Sequence, residues 1–152
     1  IRKGEYIAFT GPSGCGKSTV LKLLMCLYPL DAGSRTLETT CGTQPLTAAW
    51  RSLFAYVPQG NQLLSGTIRD IVSFGDTRKA QDDAGILRAL RIACAEDFVQ
   101  SLEKGLDTTL GEHGQGLSEG QMQRIAIARA VFSEHPILML DEATSALDEA
   151  TA

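Results

Sequence analysis

The sequence predicts an α/β fold, in which a core built on a parallel sheet carries an inserted helical subdomain. Three observations predict it. A glycine-rich segment at residues 11–18 stands between a short apolar stretch and a helical stripe. A continuous apolar run at residues 137–140 ends at two acidic residues. Between these two features, residues 61–120 have a largely helical composition.

The first predicted elements lie on either side of the glycine-rich segment. Residues 6–10 (Tyr-Ile-Ala-Phe-Thr) predict a short buried strand. After the segment, one face of a helix carries Val20, Leu23, Leu24 and Leu27. The segment therefore connects a strand to a helix.

The pattern weakens in the next part of the chain. Residues 31–42 predict at most a short exposed strand, indicated by Leu37 and Cys41. Residues 53–57 predict a buried strand that ends before Pro58, because proline cannot donate a ladder hydrogen bond. Residues 67–74 predict a short helix with Thr67 as its N-cap.

Helices dominate the second half of the chain. Residues 79–95 have an apolar stripe at helical spacing, and residues 97–102 continue in the same way. Residues 118–133 give the clearest helix of the sequence. Ser118 and Gln121 form the pattern S-x-x-Q of a capping box at its start.

Residues 137–140 predict a central strand of the parallel sheet, covered on both faces. The run is apolar throughout and lies between Pro136 and Asp141. A strand that is buried on both faces shows no alternation of apolar and polar residues. The element order is then strand–loop–helix–strand, a helical block, and helix–strand.

The overall composition excludes two classes of protein. The chain has 152 residues, of which 43% are hydrophobic and 21% charged, and its net charge is −4. Proteins that bind nucleic acid are normally basic, so no nucleic-acid partner is expected. No segment approaches the roughly 18 uninterrupted apolar residues of a membrane span. The chain is therefore expected to be cytosolic, or to contact a membrane through a partner or a longer sequence.

Residues 11–18 match the pattern G-x-x-x-x-G-K-[ST] of a phosphate-binding loop, or P-loop. Its glycines let the backbone turn tightly and bring N–H groups close to phosphate oxygens. Lys17 supplies a positive charge for the β- and γ-phosphates, and the Ser18 hydroxyl is placed to ligate Mg²⁺. The pattern predicts a P-loop NTPase core, although a glycine turn that binds nothing is the structural alternative. It does not say how the energy is used.

Two acidic residues, Asp141 and Glu142, follow the apolar strand directly. Ligands of parallel sheets bind at the carboxyl ends of the strands, so these acids and the P-loop are expected to share one rim. Asp141 is then predicted to hold Mg²⁺, and Glu142 to accept a proton from, or orient, the attacking water. The alternative is that two acids after a strand only cap a helix.

A third element occupies residues 117–121. Ser118 and Gly120 lie at the predicted start of a helix, where N–H groups and a hydroxyl make a second anion site. Two phosphate sites in one chain make sense if the second serves the nucleotide of another chain. Helix capping alone explains Ser118 and Gln121 but not the glycines that precede them.

These motifs together make the chain resemble the nucleotide-binding domain of an ATP-binding-cassette (ABC) transporter. The resemblance covers nearly the whole chain, and residues 117–121 are its most specific part. Its segments, which follow the family order at family-like spacing, are residues 11–18, 57–59, 117–130, 137–142 and 145–148. Residues 50–52, 64–70 and 105–112 are similar to the exporter branch.

The resemblance implies ATP and Mg²⁺ as ligands and assigns residues to them. Glu142, Gln59 and Lys17 would be catalytic, with Glu142 as the catalytic carboxylate. Ser18, Gln59 and Asp141 would serve the metal. The nucleotide-binding residues would be Gly11, Ser13, Gly14, Cys15, Gly16, Lys17, Ser18, Thr19, Ser118, Gly120 and Gln121.

The resemblance also implies two partners. A second nucleotide-binding domain would pair head to tail, so that Ser118 and Gly120 contact the γ-phosphate held by the other domain, with Asp148 at the seam. A transmembrane domain, fused or separate, would hold the chain at the cytoplasmic face of a membrane. Gln59 would sense that domain, and Glu112 would touch its coupling helices.

The expected function is ATP binding and hydrolysis that power export across a membrane. The alternatives are a soluble ABC ATPase and a nucleotide-binding fragment without catalysis. The expected domain is a partial one that spans residues 1–152, with its core at residues 1–60 and 121–152 and its helical subdomain at about 61–120.

The chain departs from the family pattern at three places. Glu119 replaces the first glycine of the usual signature, for which a modest effect is expected. The family's adenine-stacking aromatic residue would precede residue 1, and its switch histidine would follow residue 152. Because one hydrogen-bond donor aimed at developing charge is worth about a hundredfold or more in rate, this chain alone is expected to hydrolyse ATP slowly or not detectably.

Overall fold

The computed structural model describes residues 1–60, 65–74, 76, 78–111 and 116–142. The chain divides into two compact units, Ile1–Ser52 and Leu53–Ala152. The first unit contains the P-loop segment, and the second contains the parallel strands and most of the helices.

The first unit is built on one helix and one hairpin. Helix α1 spans Lys17–Leu24. Strands β1 (Thr36–Thr39) and β2 (Gly42–Pro45) pair antiparallel, and a 3₁₀ helix at Ala48–Leu53 follows them. Leu21 is the buried residue of α1.

Two arginines hold the C-terminal end of α1, where helix carbonyls lack partners within the helix. Arg51 donates from Nη2 to the Cys26 carbonyl at 2.6 Å and from Nε to the Met25 carbonyl at 3.1 Å. Arg35 donates to the carbonyls of Leu23 and Tyr28. These bonds anchor the segment after α1 to the rest of the first unit.

The hairpin differs from the single short exposed strand predicted within residues 31–42. Its strands carry mostly threonine and other polar residues and stay half-exposed or exposed, so no alternation marks them in the sequence. Gly42 has φ of 113°, a left-handed value that glycine adopts without strain and that helps to close the tight turn. The Thr39 hydroxyl bonds within this turn as well.

The predicted buried strand at residues 6–10 was wrong. These residues form no strand and lie exposed, with Tyr6, Ile7 and Phe9 among the exposed large apolar side chains. Within the part of the chain that the structure describes, no strand hydrogen-bonds to this segment. A short apolar stretch is a strand only if partners pair with it, and the sequence does not report the partners.

The parallel sheet of the second unit consists of β3 (Phe54–Val57) and β6 (Ile137–Leu140). The strands pair in register with Tyr56 opposite Met139, and this confirms the predicted parallel arrangement. The expected cover on both faces of β6 was wrong, since Leu138 and Leu140 are 45% and 43% exposed. An unbroken apolar run indicates burial but cannot show which faces are covered.

Helices α2 to α5 make up most of the second unit. They span Ile68–Ser73, Asp83–Ile92, Glu96–Ser101 and Glu119–Phe132. The short strands β4 (Gly66–Thr67) and β5 (Thr109–Leu110) pair antiparallel. Helix α5 packs against α2, α3 and β3. The fully buried large side chains of this core are Val57, Ile68, Ile71, Val72, Ile86, Leu90, Val99 and Ile125.

Helix starts agree closely with the sequence. Thr67 caps α2, because its hydroxyl accepts from the Asp70 N–H at 3.1 Å while the Asp70 carboxylate accepts from the Thr67 N–H. The predicted helix at residues 79–95 is a 3₁₀ turn at Lys79–Gln81 followed by α3. Both the capping of α2 and that of α5 are local patterns, which explains why they were predictable.

One arginine joins several of these helices. Arg69, on α2, donates to the Ala80 carbonyl at 2.9 Å and pairs with Asp83 and with Asp107, the latter at 3.0 Å. The hydrogen bonds that Arg69 donates to Asp83 and to Asp107 raise the pKa of its guanidinium, and the bond to Asp83 has the larger effect. Arg69 thereby ties α2 to the start of α3 and to the 3₁₀ turn at Gly105–Asp107.

Candidate functional site

The glycine-rich loop has the backbone that its sequence predicts. Gly11, Gly14 and Gly16 have φ values of 153°, 80° and 97°, a region that residues with side chains rarely adopt. A Cβ atom added at Gly11 would lie 2.8 Å from the Cys15 sulfur. Gly16 is also the N-cap of α1 and offers no side chain, so the first N–H groups of the helix receive no side-chain cap. Such N–H groups suit an anion.

The polar side chains of the loop lie at the surface of the first unit. Lys17 is half-exposed, and its Nζ donates to the Gly11 carbonyl at 3.0 Å and to the Pro12 carbonyl at 3.2 Å. Ser18 is half-exposed as well. The exposed loop residues are Ser13, Cys15 and Thr19. The amine of Lys17 is therefore held over the loop by the loop's own carbonyls.

Asp141 follows β6 and is held to β3 at two points. Its N–H donates to the Val57 carbonyl at 3.0 Å, which extends the parallel ladder by one step. Its Oδ2 accepts from the Tyr56 hydroxyl at 2.8 Å, and the residue is only 4% exposed. Burial, followed by the hydrogen bond and the negative charge of Asp141, raises the pKa of Tyr56 to about 12. The phenol is thus a protonated donor at neutral pH.

Glu142 and Gln59 meet just beyond the two strand ends. Gln59 Nε2 donates to Glu142 Oε2 at 2.6 Å, and both residues are exposed. Glu142 has φ of 51°, a left-handed value that is uncommon for residues other than glycine. Strained backbone of this kind is found preferentially at functional sites.

The segment 116–121 begins helix α5 through a capping box. The Gln121 N–H donates to Ser118 Oγ at 3.2 Å, and the Ser118 N–H donates to Gln121 Oε1 at 2.9 Å. Capping uses one acceptor site of the serine oxygen, while the hydroxyl proton is a separate donor. Gly120 and the exposed Glu119 lie in the first turn.

The structure brings some of the predicted site residues together. Gln59, Asp141 and Glu142 gather at the ends of β3 and β6, and Ser118 and Gln121 share one cap. The loop residues 11–19 belong to the first unit. Asp148 and Glu112 lie outside the described residues. Among the residues that are described, no three His, Cys, Asp or Glu side chains form a group that could hold a metal by themselves.

Sequence reasoning missed Tyr56. Its hydroxyl contacts Asp141, although 85 positions separate the two residues in the chain. The signal lies in the strand register, because Tyr56 pairs with Met139, and Met139 and Asp141 point to the same face. Register depends on which strands pair, so only the folded chain reveals it.

A cavity of about 360 Å³ lies elsewhere in the second unit, between β3, α2 and the end of α5. Its walls include Tyr56, Phe74, Arg129 and Phe132. The Arg129 guanidinium stands 5.7 Å from the centre of the Phe74 ring, and burial lowers the pKa of Arg129. None of the helices that the structure describes has both the length and the apolar character needed to cross a bilayer.

Comparisons with known proteins agree with the motifs. The chain is 45% identical to the ABC multidrug transporter atrC of Emericella nidulans, over 97% of the chain and 12% of the relative. It is 43% identical to the ATP-dependent lipid A-core flippase of Alcanivorax borkumensis, over 97% of the chain and 25% of the relative.

A solved structure resembles the fold. It is a bacterial Atm1-family ABC exporter with ATP bound, which matches with a TM-score of 0.77 and 35% identity over 92% of this chain and 24% of that one. The sequence profile of the ABC transporter family matches residues 1–145. The resemblance inferred from the motifs, including the exporter-like character, and the α/β fold class are confirmed. The chain belongs to the ABC transporter family.

Proposed function

We propose that this chain binds and hydrolyses ATP and that hydrolysis powers export across a membrane through a transmembrane domain. The observation that carries the proposal is the loop at residues 11–18, whose left-handed glycines lead into an uncapped helix N-terminus beside Lys17. The names of the relatives, a multidrug transporter and an ATP-dependent flippase, support an exporting partner. The chain spans 12% of one relative and 25% of the other, so most of each relative lies outside the matched part and can hold that domain.

In this proposal the loop binds the triphosphate. The N–H groups of the loop and of the first turn of α1 donate to phosphate oxygens. The Lys17 amine moves from the Gly11 and Pro12 carbonyls to the β- and γ-phosphates, because a full negative charge is a better partner than a neutral carbonyl. The loop residues that take part are Gly11, Ser13, Gly14, Cys15, Gly16, Lys17, Ser18 and Thr19.

The residues present fit Mg²⁺ as the second ligand. A hydroxyl (Ser18), an amide oxygen (Gln59) and a buried carboxylate (Asp141) are hard oxygen donors, which Mg²⁺ prefers. Mg²⁺ also uses few protein ligands, since it keeps several waters and binds phosphates directly. The bound ion would supply positive charge that neutralises the phosphates.

Glu142 is the proposed catalytic carboxylate. It lies one residue beyond Asp141 and is exposed, so a water molecule can reach it. As a carboxylate it can accept a proton from that water or orient it. Gln59, which donates to Glu142 at 2.6 Å, fixes the position of one carboxylate oxygen and would also reach the metal site.

A second nucleotide-binding domain completes the site in this proposal. Ser118 retains its hydroxyl proton after capping α5, and Gly120 contributes a backbone N–H in the first turn of the helix. Both would donate to the γ-phosphate held by the loop of the partner domain. Because this contact exists only when ATP is bound, ATP favours the closed pair, and hydrolysis releases it.

The proposal also includes a transmembrane partner and a division of the chain into a core and a helical subdomain. A transmembrane partner, on the same chain or a separate one, would place residues 1–152 at the cytoplasmic face. The core would comprise residues 1–60 and 121–152, and the helical subdomain would comprise about 61–120. No nucleic-acid partner is included, in keeping with the net charge of −4.

Replacing Lys17 with alanine tests the proposal. We expect the variant to bind Mg²⁺-ATP about 10- to 100-fold more weakly, because a charge-assisted hydrogen bond contributes about 1.5–3 kcal/mol. Titration calorimetry of the 152-residue chain measures the affinity. Lys22→Ala is the matched control, since Lys22 lies in the last turn of the same helix and should change the affinity less than twofold.

Two results would contradict the proposal. One is that the unmodified chain, folded by circular dichroism, does not bind Mg²⁺-ATP. The other is that Lys17→Ala and Lys22→Ala weaken binding equally, since the effect would then reflect helix stability or net charge and not the loop.

A further inference from the structure

Tyr56 occupies a defined place beside the two acids. It lies on β3, opposite Met139 of β6, with both side chains on one face of the parallel pair. Asp141 follows two residues after Met139 on that same face. A tyrosine side chain is long enough to cover this diagonal step, and its hydroxyl reaches Asp141 Oδ2 at 2.8 Å.

Asp141 is fixed in two independent ways. The hydrogen bond from its N–H to the Val57 carbonyl, at 3.0 Å, fixes its backbone at the end of the ladder. The phenol fixes the rotation of its carboxyl group. Since the residue is 4% exposed, water competes poorly for the bond, and a hydrogen bond of this kind is stronger than one at the surface.

We infer that Tyr56 is a positioning residue, whose hydroxyl holds the Asp141 carboxylate in the orientation in which it serves Mg²⁺. The inference rests on the proposed function, because it takes Asp141 as a residue of the metal site. Groups that hydrogen-bond to a metal ligand orient it, and losing one typically costs about 10- to 100-fold in metal affinity or activity. Tyr56 does not touch the nucleotide in this view and acts only through Asp141.

Tyr56→Phe separates positioning from packing. The variant keeps the aromatic ring, its half-buried place on β3 and the Val57 ladder bond, and removes only the donor. Tyr28→Phe is the matched control, since it removes the same hydroxyl from an exposed tyrosine of the other unit. Circular dichroism and thermal unfolding without metal verify that each variant is folded.

The readout is metal binding and not turnover. Electron paramagnetic resonance of Mn²⁺, which substitutes for Mg²⁺, measures metal affinity in the presence of ATP, and fluorescence titration measures ATP affinity in the presence of a chelator. We expect Tyr56→Phe to weaken Mn²⁺ binding about tenfold. Its ATP affinity without metal should stay within twofold. In an Asp141→Asn background, Tyr56→Phe should have no further effect on Mn²⁺.

Three results would overturn the inference, and they are distinguishable. Unchanged Mn²⁺ affinity in Tyr56→Phe overturns it and leaves the proposed function intact. Equal losses of Mn²⁺ affinity and of metal-free ATP affinity, or the same tenfold loss in the Asp141→Asn background, show a purely structural role. If the unmodified chain binds ATP with no metal dependence at all, the inference and the metal part of the proposed function both fail.

Discussion

Two side-chain pairs lie where β3 and β6 end, namely Tyr56 with Asp141 and Gln59 with Glu142. They differ in their exposure to water. Asp141, with its Tyr56 partner, is 4% exposed, whereas Gln59 and Glu142 are both exposed. Water exchanges readily with an exposed hydrogen bond and poorly with a buried one. The Tyr56–Asp141 hydrogen bond should therefore persist, whereas the Gln59–Glu142 hydrogen bond can open to admit a water molecule.

The Tyr56 phenol should lose its proton at a higher pH than an ordinary tyrosine. Its pKa is raised from 10.0 to about 12, chiefly by burial and then by Asp141. A raised folded-state pKa means that the folded chain holds this proton more tightly than the unfolded chain. The contribution of protonated Tyr56 to the free energy of unfolding is therefore complete below pH 10 and is lost as the pH rises through 12.

Tyrosinate absorbance measures this titration. The difference between the unmodified chain and Tyr56→Phe should give one phenol that ionises near pH 12 while the chain is folded. Urea unfolding should show Tyr56→Phe losing less stability than the unmodified chain between pH 10 and 12. A phenol that ionises at the ordinary value near 10 would contradict the part-buried hydrogen bond to Asp141.

In α3, Gly85 is required because a side chain at this position would collide with its neighbours, and not because of its backbone angles. A Cβ atom added at Gly85 would stand 2.8 Å from Cγ of Asp82, the helix cap, and 3.0 Å from a ring carbon of Phe132 on α5. Asp82 also accepts from the Gly85 N–H at 2.9 Å. The close approach of α3 to α5 thus depends on the missing side chain.

Gly85→Ala should lower the free energy of unfolding by about 1 kcal/mol. Loss of the cap costs about 1 kcal/mol and the displaced Phe132 adds to it, while alanine's higher helix propensity returns about 1 kcal/mol. Chemical denaturation measures the difference. Ala84→Gly, at the exposed neighbouring position, is the control and should cost up to about 1 kcal/mol through propensity alone. A more stable Gly85→Ala protein would show that propensity outweighs packing here.

Elements could be predicted where their determinants are close together in the sequence. The N-cap at Thr67 and the capping box at Ser118 each depend on four consecutive residues, and both appear in the structure as predicted, with Thr67 forming a full capping box as well. The P-loop glycines are equally local. The strand at residues 6–10 and the hairpin at 36–45 were misjudged, because strand formation depends on partners and on burial that a short window does not contain.

The same distinction holds for the candidate site. The sequence identified Gln59, Asp141 and Glu142 from motifs, and the structure places them together. It could not identify Tyr56, because that contact follows from the register of two strands more than 80 residues apart. Local motifs thus point to the candidate site residues, whereas strand register reveals which side chain contacts Asp141.

For the whole molecule, the proposal of a shared site predicts nucleotide-dependent pairing. Glu142→Gln removes the proposed catalytic carboxylate and preserves bound ATP. We expect this variant to sediment as a dimer with Mg²⁺-ATP and as a monomer with Mg²⁺-ADP, because only the γ-phosphate joins the two chains. Sedimentation velocity makes the measurement.

Ser118→Ala, added to Glu142→Gln, provides the control. It removes the proposed γ-phosphate donor and should reduce the dimer fraction while leaving ATP binding at the loop unchanged. The helix cap that it also removes costs about 1 kcal/mol, so folding is checked in parallel. Identical sedimentation in ATP and ADP would contradict a site shared between two chains.

Helix α5 extends from the capping box at Ser118 to the cavity wall. Its first residue adjoins Ser118, and its last turn carries Arg129 and Phe132 in the cavity wall. Fourteen residues make a rod about 21 Å long, held by an unbroken ladder of hydrogen bonds. A tilt of about 10° at the Ser118 end would move the far end of a helix of this length by about 4 Å, roughly the width of a methyl group. A displacement of the capped end would therefore change the shape of the cavity, because one helix carries both.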